Sequence, residues 1–537
     1  MHTQADVVII GAGLAGMVCA MELINDGVDV ILVDRDTPER AGGLARDAFG
    51  GMMLVDTPIQ RRFGIADSPG LAYRDWLSFA RFGKKDYWPV QWAKLYVQRC
   101  RPDVHDFLRA CGIRFFPAPQ WVERGHYGEG NSVPRYHVVW GTGLRLATRI
   151  VEVLDEHPKR SCLRSFFNRK AERLLVENGR VCGCGGTDIA TGREFSVRAG
   201  VVVVACGGIN GDLDLVRNCW DTAHSPAPVP LLNGAHRYAD GLLHDEVARQ
   251  GGAVTHLEWM WNYAAGVHMP GAEDDTRGLS LIPPKSALWL DAEGKRFGPE
   301  PLITGFDTWR MVHRICRTRY QYSWQILNMK IAYKELAASG ADANPAFRDR
   351  NWLQTLRTLL KGNRKLVDGL ISDCPDFVVA DTVTDLAMRM NALVGHDRIE
   401  ADRLRKVIGA YDNAIERGSA LFNDPQLRRI AQLRSWRGDR LRTCKFQSIL
   451  DPRAGPLLAI REFIISRKSM GGILTDTRSR VLTDQGEPIS GLYAAGEAAG
   501  FGGGGSSGNR SLEGTFLSNC ILNARMAARD IAGTTRS

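Results

Sequence analysis

The sequence predicts an α/β fold in which a discontinuous Rossmann-like nucleotide-binding domain holds an inserted α+β domain. Three observations predict it: a βαβ unit opens the chain, an apolar strand occupies 201–204, and a strand with a glycine-rich loop and a helix ends the chain. Between the last two, aromatic-rich loops give way to helical runs over 309–338, 350–361 and 402–417. We therefore expect the nucleotide-binding domain at 1–235 and 451–537, and the inserted domain at 236–450.

The nucleotide-binding prediction rests on residues 5–35. The apolar run 7–10 predicts a buried strand, a helix follows to residue 23, and a second strand over 28–33 ends at Asp34. In the Gly-x-Gly-x-x-Gly turn between strand and helix, the glycines permit a tight turn, approach of a pyrophosphate and close helix–strand packing, while the acid accepts ribose hydroxyls. The predicted contacts are Gly11, Ala12, Gly13, Leu14, Ala15, Gly16, Asp34 and Arg35.

Three further segments select FAD as the nucleotide. Double glycines follow the second strand in RAGGLARDAFGG, the strand at 201 ends in two more, and GLYAAGEAAG (491–500) carries Glu497 before a final helix. This arrangement resembles the fumarate reductase and succinate dehydrogenase flavoprotein superfamily. The resemblance implies that Glu497 binds the ribityl chain and that the last helix directs its N-terminus at the flavin. The further FAD contacts implied are Gly42, Gly43, Gly50, Gly51, Val181, Ala205, Gly207, Gly208, Glu497, Thr515 and Phe516.

A narrower resemblance concerns the reaction. Residues 49–68, 114–143 and 281–308 are similar to the family of FAD-binding dehydrogenases grouped with 3-oxosteroid 1-dehydrogenases. The resemblance implies dehydrogenation of a carbon–carbon bond next to a carbonyl, by hydride transfer to flavin N5. The implied substrate is a 3-ketosteroid-like or other apolar cyclic ketone. The inserted domain would be a substrate-binding cap that excludes water from the flavin.

Departures from two template families leave the proton-transferring group open. Fumarate reductases use a His-His-Thr-Met-Gly-Gly loop, which here reads RKSMGG (467–472), and an arginine at the position of Phe306. Ketosteroid 1-dehydrogenases place a tyrosine at that position and another four residues before a glycine at the last helix. In this sequence the second tyrosine is replaced by Arg510, and Gly514 is the glycine.

Five residues are therefore the catalytic candidates: Arg510, Gly514, Tyr127, Tyr136 and Lys468. Arg510 and the Gly514 N–H would hold a carbonyl or a developing enolate. One tyrosine would transfer the proton, its phenol assisted by the positive charge of Arg510 or Lys468.

Structural alternatives stand beside these roles. His126 is another base, each tyrosine could be a packing residue, and Lys468 could be a solvated loop residue. Arg510 could instead pair with Glu513 or Glu497. Trp259, Trp261 and Tyr263 form either a wall for a flat substrate or the core of the inserted domain.

Other functions remain open at this stage. Asn509-Arg510 favours reduction of an α,β-unsaturated acid, as in fumarate or urocanate reductases. A hydroxyl or amine oxidase and a flavin-binding protein without catalysis are further alternatives.

The composition bears on the localisation, the partners and the metal content of the protein. With a net charge of +9, no run of eighteen apolar residues and no signal-peptide pattern, the chain is expected to be cytoplasmic and not to bind nucleic acid. The arginine-rich stretches 314–320 and 434–442 predict solvated helix faces or a peripheral membrane contact. The twelve cysteines show no metal or iron–sulfur spacing, so no metal is predicted. The expected partners are an apolar small-molecule substrate and an electron acceptor that the sequence does not identify.

We expect the FAD to be held noncovalently. The superfamily attaches FAD through a histidine near the second glycine pair, and residues 44–51, LARDAFGG, contain none. Acid precipitation of the purified protein should leave the yellow flavin in the supernatant. Flavin that remains with the precipitate would contradict this expectation.

Overall fold

The computed structural model describes residues 2–535 and builds them around two large sheets of eight strands each. The outermost residues of the predicted domains, Met1 and 536–537, lie outside the described residues. The strands, in chain order, are β1 His2–Ile10, β2 Val30–Val33, β3 Gly51–Met53, β4 Tyr136–Val138, β5 Leu163–Phe166, β6 Arg169–Glu177, β7 Arg180–Asp188, β8 Glu194–Val204, β9 Leu231–Asn233, β10 Val254–Thr255, β11 Met260–His268, β12 Gly278–Ile282, β13 Leu288–Asp291, β14 Tyr322–Asn328, β15 Ala337–Ala338, β16 Phe377–Ala380, β17 Leu457–Ser469, β18 Gly472–Ile473, β19 Arg480–Leu482 and β20 Pro488–Ala494.

Eighteen α-helices connect or cover these strands within the described residues. They are α1 Leu14–Asn25, α2 Pro58–Arg62, α3 Pro69–Ala80, α4 Tyr87–Cys100, α5 Phe107–Ala110, α6 Thr142–Asp155, α7 Leu213–Asn218, α8 Leu242–Arg249, α9 Thr308–Cys316, α10 Met329–Glu335, α11 Pro345–Arg348, α12 Trp352–Lys361, α13 Arg364–Asp373, α14 Val383–Val394, α15 Ala401–Glu416, α16 Pro425–Ser435, α17 Arg437–Arg442 and α18 Thr515–Thr535. None of these described helices is long and apolar enough to span a membrane.

The first sheet has a parallel centre. Its order is β19-β20-β8-β1-β2-β5, with the β6–β7 hairpin attached through β7 to β8. The central strand β1 pairs in parallel with β2 through Val7↔Val30 and with β8 through Val7↔Val201. Val7 and Ile9 pack into the apolar core on one face of the sheet, and Val8 and Ile10 pack into the core on the other face. Burial on both faces explains why the apolar run at 7–10 is continuous rather than alternating. The predicted βαβ unit is confirmed.

The second sheet has the order β13-β14-β17-β11-β12-β15, and β9 and β16 also pair with β17. The long strand β17 therefore organises this sheet. Its strands β9 and β17 lie outside 236–450, so this sheet extends beyond both predicted limits of the inserted domain, and those limits stay a prediction.

The helical run predicted over 309–338 is wrong in its middle. The structure has α9, the strand β14 and the short helix α10 there. All seven residues of β14 are buried, because the strand lies between β13 and β17. Its sequence, YSWQILN, alternates apolar and polar residues over 322–326, which is a strand pattern, but the pattern is short and lies between two helices, so the helical prediction ran across it. The runs at 350–361 and 402–417 are confirmed as α12 and α15.

A buried ion cluster fixes the short β3–β4 ribbon beside the first sheet. Arg135, which precedes β4, has no exposed side-chain surface and donates to Asp67 at 2.8 Å and to Asp75 at 2.5 Å. The ribbon pairs Gly51 with Val138, and a Cβ on Gly51 would lie 1.8 Å from the Tyr136 ring. The cluster thus fixes the strand that carries Tyr136.

We expect Arg135→Met to lower the free energy of unfolding by about 3–5 kcal/mol, because it leaves the largely buried carboxylates of Asp67 and Asp75 without their shared cation. Arg160→Met is the matched control, since its pair with Asp155 is on the surface, and its cost should be below about 1 kcal/mol. Urea unfolding monitored by circular dichroism measures both. Equal midpoints for the two variants would contradict the role of the cluster.

Candidate cofactor and active site

A long cavity opens at the carboxyl ends of the parallel strands. Its empty space is about 1520 Å³, including the part open to solvent. Ile10 and Val33 line it from the ends of β1 and β2, while Tyr263 and Lys468 line it from β11 and β17 of the second sheet. In open α/β sheets, ligands bind outside the carboxyl ends of the strands.

Most of the predicted cofactor contacts line this cavity. They are Gly11, Gly13, Leu14, Ala15, Asp34, Arg35, Gly42, Gly43, Gly50, Gly51, Ala205, Gly207, Gly208, Glu497 and Phe516. Ala12 donates its N–H to Asp34 instead, and Gly16 packs so closely that a Cβ would lie 1.8 Å from the Gly11 carbonyl oxygen. Thr515 is buried against the Ser507 hydroxyl.

The glycine turn at the end of β1 fits a dinucleotide. A Cβ on Gly13 or on Gly207 would meet no atom within 4 Å, so both backbones face open space. The helix α1 begins at Leu14, and its N-terminus favours an anion such as pyrophosphate. The Asp34 carboxylate accepts the Ala12 and Asp36 N–H groups at 2.5 and 2.6 Å, which orients it and leaves lone pairs for ribose hydroxyls.

Val181, a further predicted cofactor contact, does not line the cavity. It lies in β7, in the apolar core of the first sheet. Arg169 and Ala171 of the adjacent strand β6 line the cavity in its place. The reason is topological: the Arg169 N–H donates to the Asp34 carbonyl at 2.8 Å, so β6, not β7, adjoins the ribose acid.

Glu497 is one of the residues that line the cavity. It accepts the Ser469 N–H at 2.9 Å. Loss of hydration within the protein raises the pKa of this carboxyl to about 7, against the lowering effect of that hydrogen bond and of Lys468. An enclosed carboxyl with spare lone pairs is suited to bind hydroxyl groups, as the implied ribityl contact requires.

Four ionisable side chains line the part of the cavity that includes Lys468: Tyr136, Tyr263, Lys468 and Glu513. The Tyr263 hydroxyl donates to Glu513 at 2.9 Å. Burial, and then the charge of Glu513, raise the pKa of Tyr136 far above its ordinary value, so its phenol stays protonated at neutral pH. Tyr136 is therefore a hydrogen-bond donor at this end.

Lys468 places a cation beside these groups. Its Nζ lies 4.2 Å from the centroid of the Phe516 ring. Loss of hydration lowers the pKa of Lys468 to about 8, although the nearby Glu513 opposes the shift. The ammonium form therefore prevails below about pH 8 and is lost as the pH rises through that value.

Arg510 does not line the cavity, contrary to the prediction. Its guanidinium donates to Asp307 and to Glu129, at 2.8 Å for the latter, and stacks over Phe79. The partners are neither Glu513 nor Glu497, the two that the sequence suggested. Both carboxylates accept from the same guanidinium nitrogen, Nη2. The two acids are more than 200 positions away in sequence, so no local pattern indicates the pairing.

Tyr127 and His126 also lie away from the cavity. Tyr127 is 67% exposed, and its loop turns outward. The ring of His126 stacks on Phe306, and burial followed by the charge of Arg429 lowers its pKa to about 4. Of the two candidate tyrosines, only Tyr136 reaches the predicted site.

The remaining sequence candidates divide between cavity and core. Gly514 packs against the Tyr136 ring, where a Cβ would lie 2.9 Å from Cδ2. Trp259 and Trp261 belong to an apolar cluster with Met470, Phe501 and Phe516, while Tyr263 lines the cavity.

Glu513 was missed by the sequence analysis as a cavity residue. Its position one residue before the predicted Gly514 was the available signal.

Comparisons with known proteins agree with this arrangement. The family model described as FAD binding domain matches residues 6–517. A KsdD-like steroid dehydrogenase of Mycobacterium tuberculosis (strain CDC 1551) is 40% identical over 551 residues, which cover 99% of this chain and 96% of that protein.

Two solved structures share the fold. The open conformation of a flavocytochrome c3 fumarate reductase has a TM-score of 0.69 at 19% identity, over 100% of this chain and 79% of that chain. A 3-ketosteroid delta1-dehydrogenase from Sterolibacterium denitrificans has a TM-score of 0.68 at 16% identity, over 99% of this chain and 100% of that chain.

We expect Asp34→Ala to weaken FAD binding by about 10- to 100-fold, since a charged acceptor contributes about 1–3 kcal/mol. Asp34→Asn keeps one acceptor oxygen, so its affinity for FAD should lie between those of Asp34→Ala and the wild type. Titration of the apoprotein with FAD, followed by flavin fluorescence, measures the change. Unaltered affinity in Asp34→Ala would contradict the ribose assignment.

Proposed function

Because this chain belongs to the FAD-binding domain family, we propose that it is an FAD-dependent dehydrogenase of the CH–CH bond next to a carbonyl. Its substrate is a 3-ketosteroid-like or other apolar cyclic ketone. One observation carries the proposal: the nucleotide cradle and an enclosed group of proton donors and acceptors share a single cavity. The full-length similarity to a protein named as a steroid dehydrogenase supports it.

In this proposal the first-sheet unit is the Rossmann-like domain, and the second sheet with its helices is the substrate cap. Gly13, Asp34 and Glu497 would hold the pyrophosphate, ribose and ribityl parts of FAD. When bound, FAD supplies the acceptor for the hydride that leaves the substrate. The protein must then polarise the ketone, accept a proton from carbon and exclude water.

Tyr136 and Gly514 are suited to polarise the ketone. Burial keeps the Tyr136 phenol protonated, and the ring rests between Gly51 and Gly514, which restricts where its hydroxyl can point. A neutral phenol donates a hydrogen bond to a developing enolate oxygen without first losing a proton. Preorganised donors of this kind stabilise the transition state more than the ground state.

Glu513 is suited to take the proton. Its carboxylate is enclosed in the cavity, and the Tyr263 hydroxyl orients it through a hydrogen bond of 2.9 Å. The Lys468 ammonium beside Phe516 offsets the negative charge that develops on the substrate. These roles replace those of Tyr127 and Arg510, which lie elsewhere.

The reduction of an unsaturated acid has less support than dehydrogenation. The anchor proposed for the acid was Arg510, and its guanidinium already pairs with Asp307 and Glu129. We further propose that the enzyme is cytoplasmic, with a peripheral membrane contact, and passes its electrons to an acceptor still to be identified.

The proposal is tested by anaerobic mixing of the purified flavoprotein with a 3-ketosteroid. Rapid bleaching of the flavin, with a product one double bond richer, is the expected result. Fumarate added to the dithionite-reduced protein serves as the second arm. Reoxidation by fumarate, without bleaching by any cyclic ketone, would sink the proposal in favour of a reductase.

Tyr136→Phe should slow flavin reduction by about 100- to 1000-fold, because a preorganised donor to the oxyanion is lost. Tyr127→Phe is the matched control and should leave the rate unchanged, since Tyr127 is 67% exposed. Stopped-flow reduction at saturating substrate measures both variants. If they slow equally, or neither does, the role of Tyr136 is wrong.

Glu513→Gln should slow the same step by about 100- to 10,000-fold, the range for loss of a general base. Glu258→Gln is the control, because Glu258 does not line the cavity, and it should leave the rate of flavin reduction unchanged. Retention of the wild-type rate in Glu513→Gln would show that the proton leaves by another group.

The rate of flavin reduction should decline as the pH rises through about 8, where Lys468 loses its charge. Lys468→Arg keeps a cation and should remove this alkaline decline while retaining activity, because an arginine does not titrate in this range. Lys468→Met should be slow at every pH and show no decline. A decline that persists unchanged in Lys468→Met would assign it to a different group.

A further inference from the structure

The helix α12, Trp352–Lys361, has an apolar face whose side chains are at least half exposed. Fifteen large apolar side chains are classed as exposed among the described residues, and four of them lie on this ten-residue helix. They are Trp352 at 50%, Leu353 at 83%, Leu356 at 52% and Leu360 at 59% exposed. At 100° per residue these four side chains share one side of the helix.

The inward side of α12 is different in character. Thr355 is 6% exposed and faces the protein with Leu359, whose carbonyl oxygen accepts from Lys334 Nζ. A surface helix normally turns its apolar stripe toward the core. In α12 the larger stripe points to solvent, which marks it as an interaction surface.

Basic side chains border the apolar face. Residues 345–365 contain six arginines and lysines and one acid, Asp349. Arg357, Lys361 and Lys365 are exposed, and none of them forms an ion pair with another described residue. A helix with leucines and a tryptophan on one face, edged by cations, has the composition of helices that lie in the plane of a membrane interface.

We propose that α12 docks this protein on an anionic lipid bilayer. The leucines enter the boundary between headgroups and acyl chains, and the cations contact acidic headgroups. Anionic lipid is favoured over a protein partner by charge complementarity, because the exposed Arg357 and Lys361 lie along one edge of the apolar face and form no ion pair with another described residue. This surface differs from the arginine-rich stretches 314–320 and 434–442 that the sequence suggested.

An aromatic path joins this face to the cavity. The Trp352 ring stacks on Trp140 with a centroid distance of 4.3 Å, and Trp140 contacts Phe347 at 4.7 Å. Phe347 contacts Phe49 at 5.2 Å, and Phe49 lines the cavity. If the substrate is apolar, as the proposed function holds, it concentrates in the bilayer and reaches the cavity from the docked side; this step alone rests on the proposed function.

Vesicle binding by the intact flavoprotein tests the docking surface without any assay of activity. The probes are vesicles of phosphatidylcholine alone and of phosphatidylcholine with phosphatidylglycerol, separated by flotation. The apolar variant carries Leu353→Ser, Leu356→Ser and Leu360→Ser. Its control carries Val229→Ser, Met388→Ser and Leu421→Ser, which are similarly exposed on other segments.

We expect the wild type to bind anionic vesicles and the apolar variant to bind them at least about tenfold more weakly. A second variant, with Arg357→Gln, Lys361→Gln and Lys365→Gln, should lose the preference for anionic vesicles, at about fivefold for each charge. Its control carries Arg403→Gln, Lys406→Gln and Lys445→Gln. Both controls should stay within twofold of the wild type, and flavin content and the thermal midpoint confirm folding.

Three outcomes would overturn the proposal. The first is no vesicle binding by the wild type, and the second is equal vesicle binding by the wild type and the apolar variant. The third is a wild-type dimer that dissociates in the apolar variant while vesicle binding stays the same. The last would assign the face to a second copy of this chain. Substrate entry is tested separately, by comparing steroid delivered in vesicles with steroid carried by cyclodextrin. The apolar variant should be slower only with vesicles, and failure of any steroid to bleach the flavin would count against the proposed function without touching the vesicle result.

Discussion

The close approach of the β1–α1 turn to its neighbours is the constraint on which the site depends. A Cβ on Gly11 would lie 2.3 Å from the Ala205 carbonyl oxygen, and one on Gly16 would lie 1.8 Å from the Gly11 carbonyl oxygen. These contacts bring the ends of β1 and β8 close to the start of α1. The double glycine at 42–43 then joins them through the Gly42 N–H, which donates to the Ala12 carbonyl at 2.8 Å. The cradle is thus built from backbone that no side chain obstructs.

The second sheet completes the site through one strand. The end of β17 carries Lys468 into the cavity, and Ser469 N–H binds Glu497 of the first-sheet unit. Lys468 and Glu497 are therefore linked through Ser469, the residue after Lys468. Groups from both sheets meet at an enclosed surface, where water is scarce and electrostatic interactions are stronger than in bulk solvent. This accounts for the shifts in the pKa values of Lys468 and Glu497.

The nucleotide half of the site could be predicted from the sequence, because its geometry is local. The turn, the helix N-terminus and the acid lie within thirty residues and are determined by backbone sterics. The catalytic half could not, because its members are positioned by contacts distant in sequence. Arg510 pairs with Asp307, which is distant in sequence. Tyr127 is exposed on its loop, whereas Tyr136 lines the cavity. Ala171 lines the cavity where Val181 was expected. The strand β14 was missed for a different reason, since its alternation of apolar and polar residues covers only 322–326 and lies between two helices.

Tyr136 has a consequence for how this sequence can vary. Its ring lies between Gly51 and Gly514, and any side chain at either glycine would meet it at less than 3.0 Å. The two glycines are nevertheless not equivalent. The three atoms nearest to a Cβ at position 51 all belong to Tyr136, whereas Gly514 has a φ of +98° and a Cβ there would also lie 2.6 Å from the Met53 backbone nitrogen. A smaller residue at 136 would therefore make room for a side chain at position 51 while position 514 still required glycine.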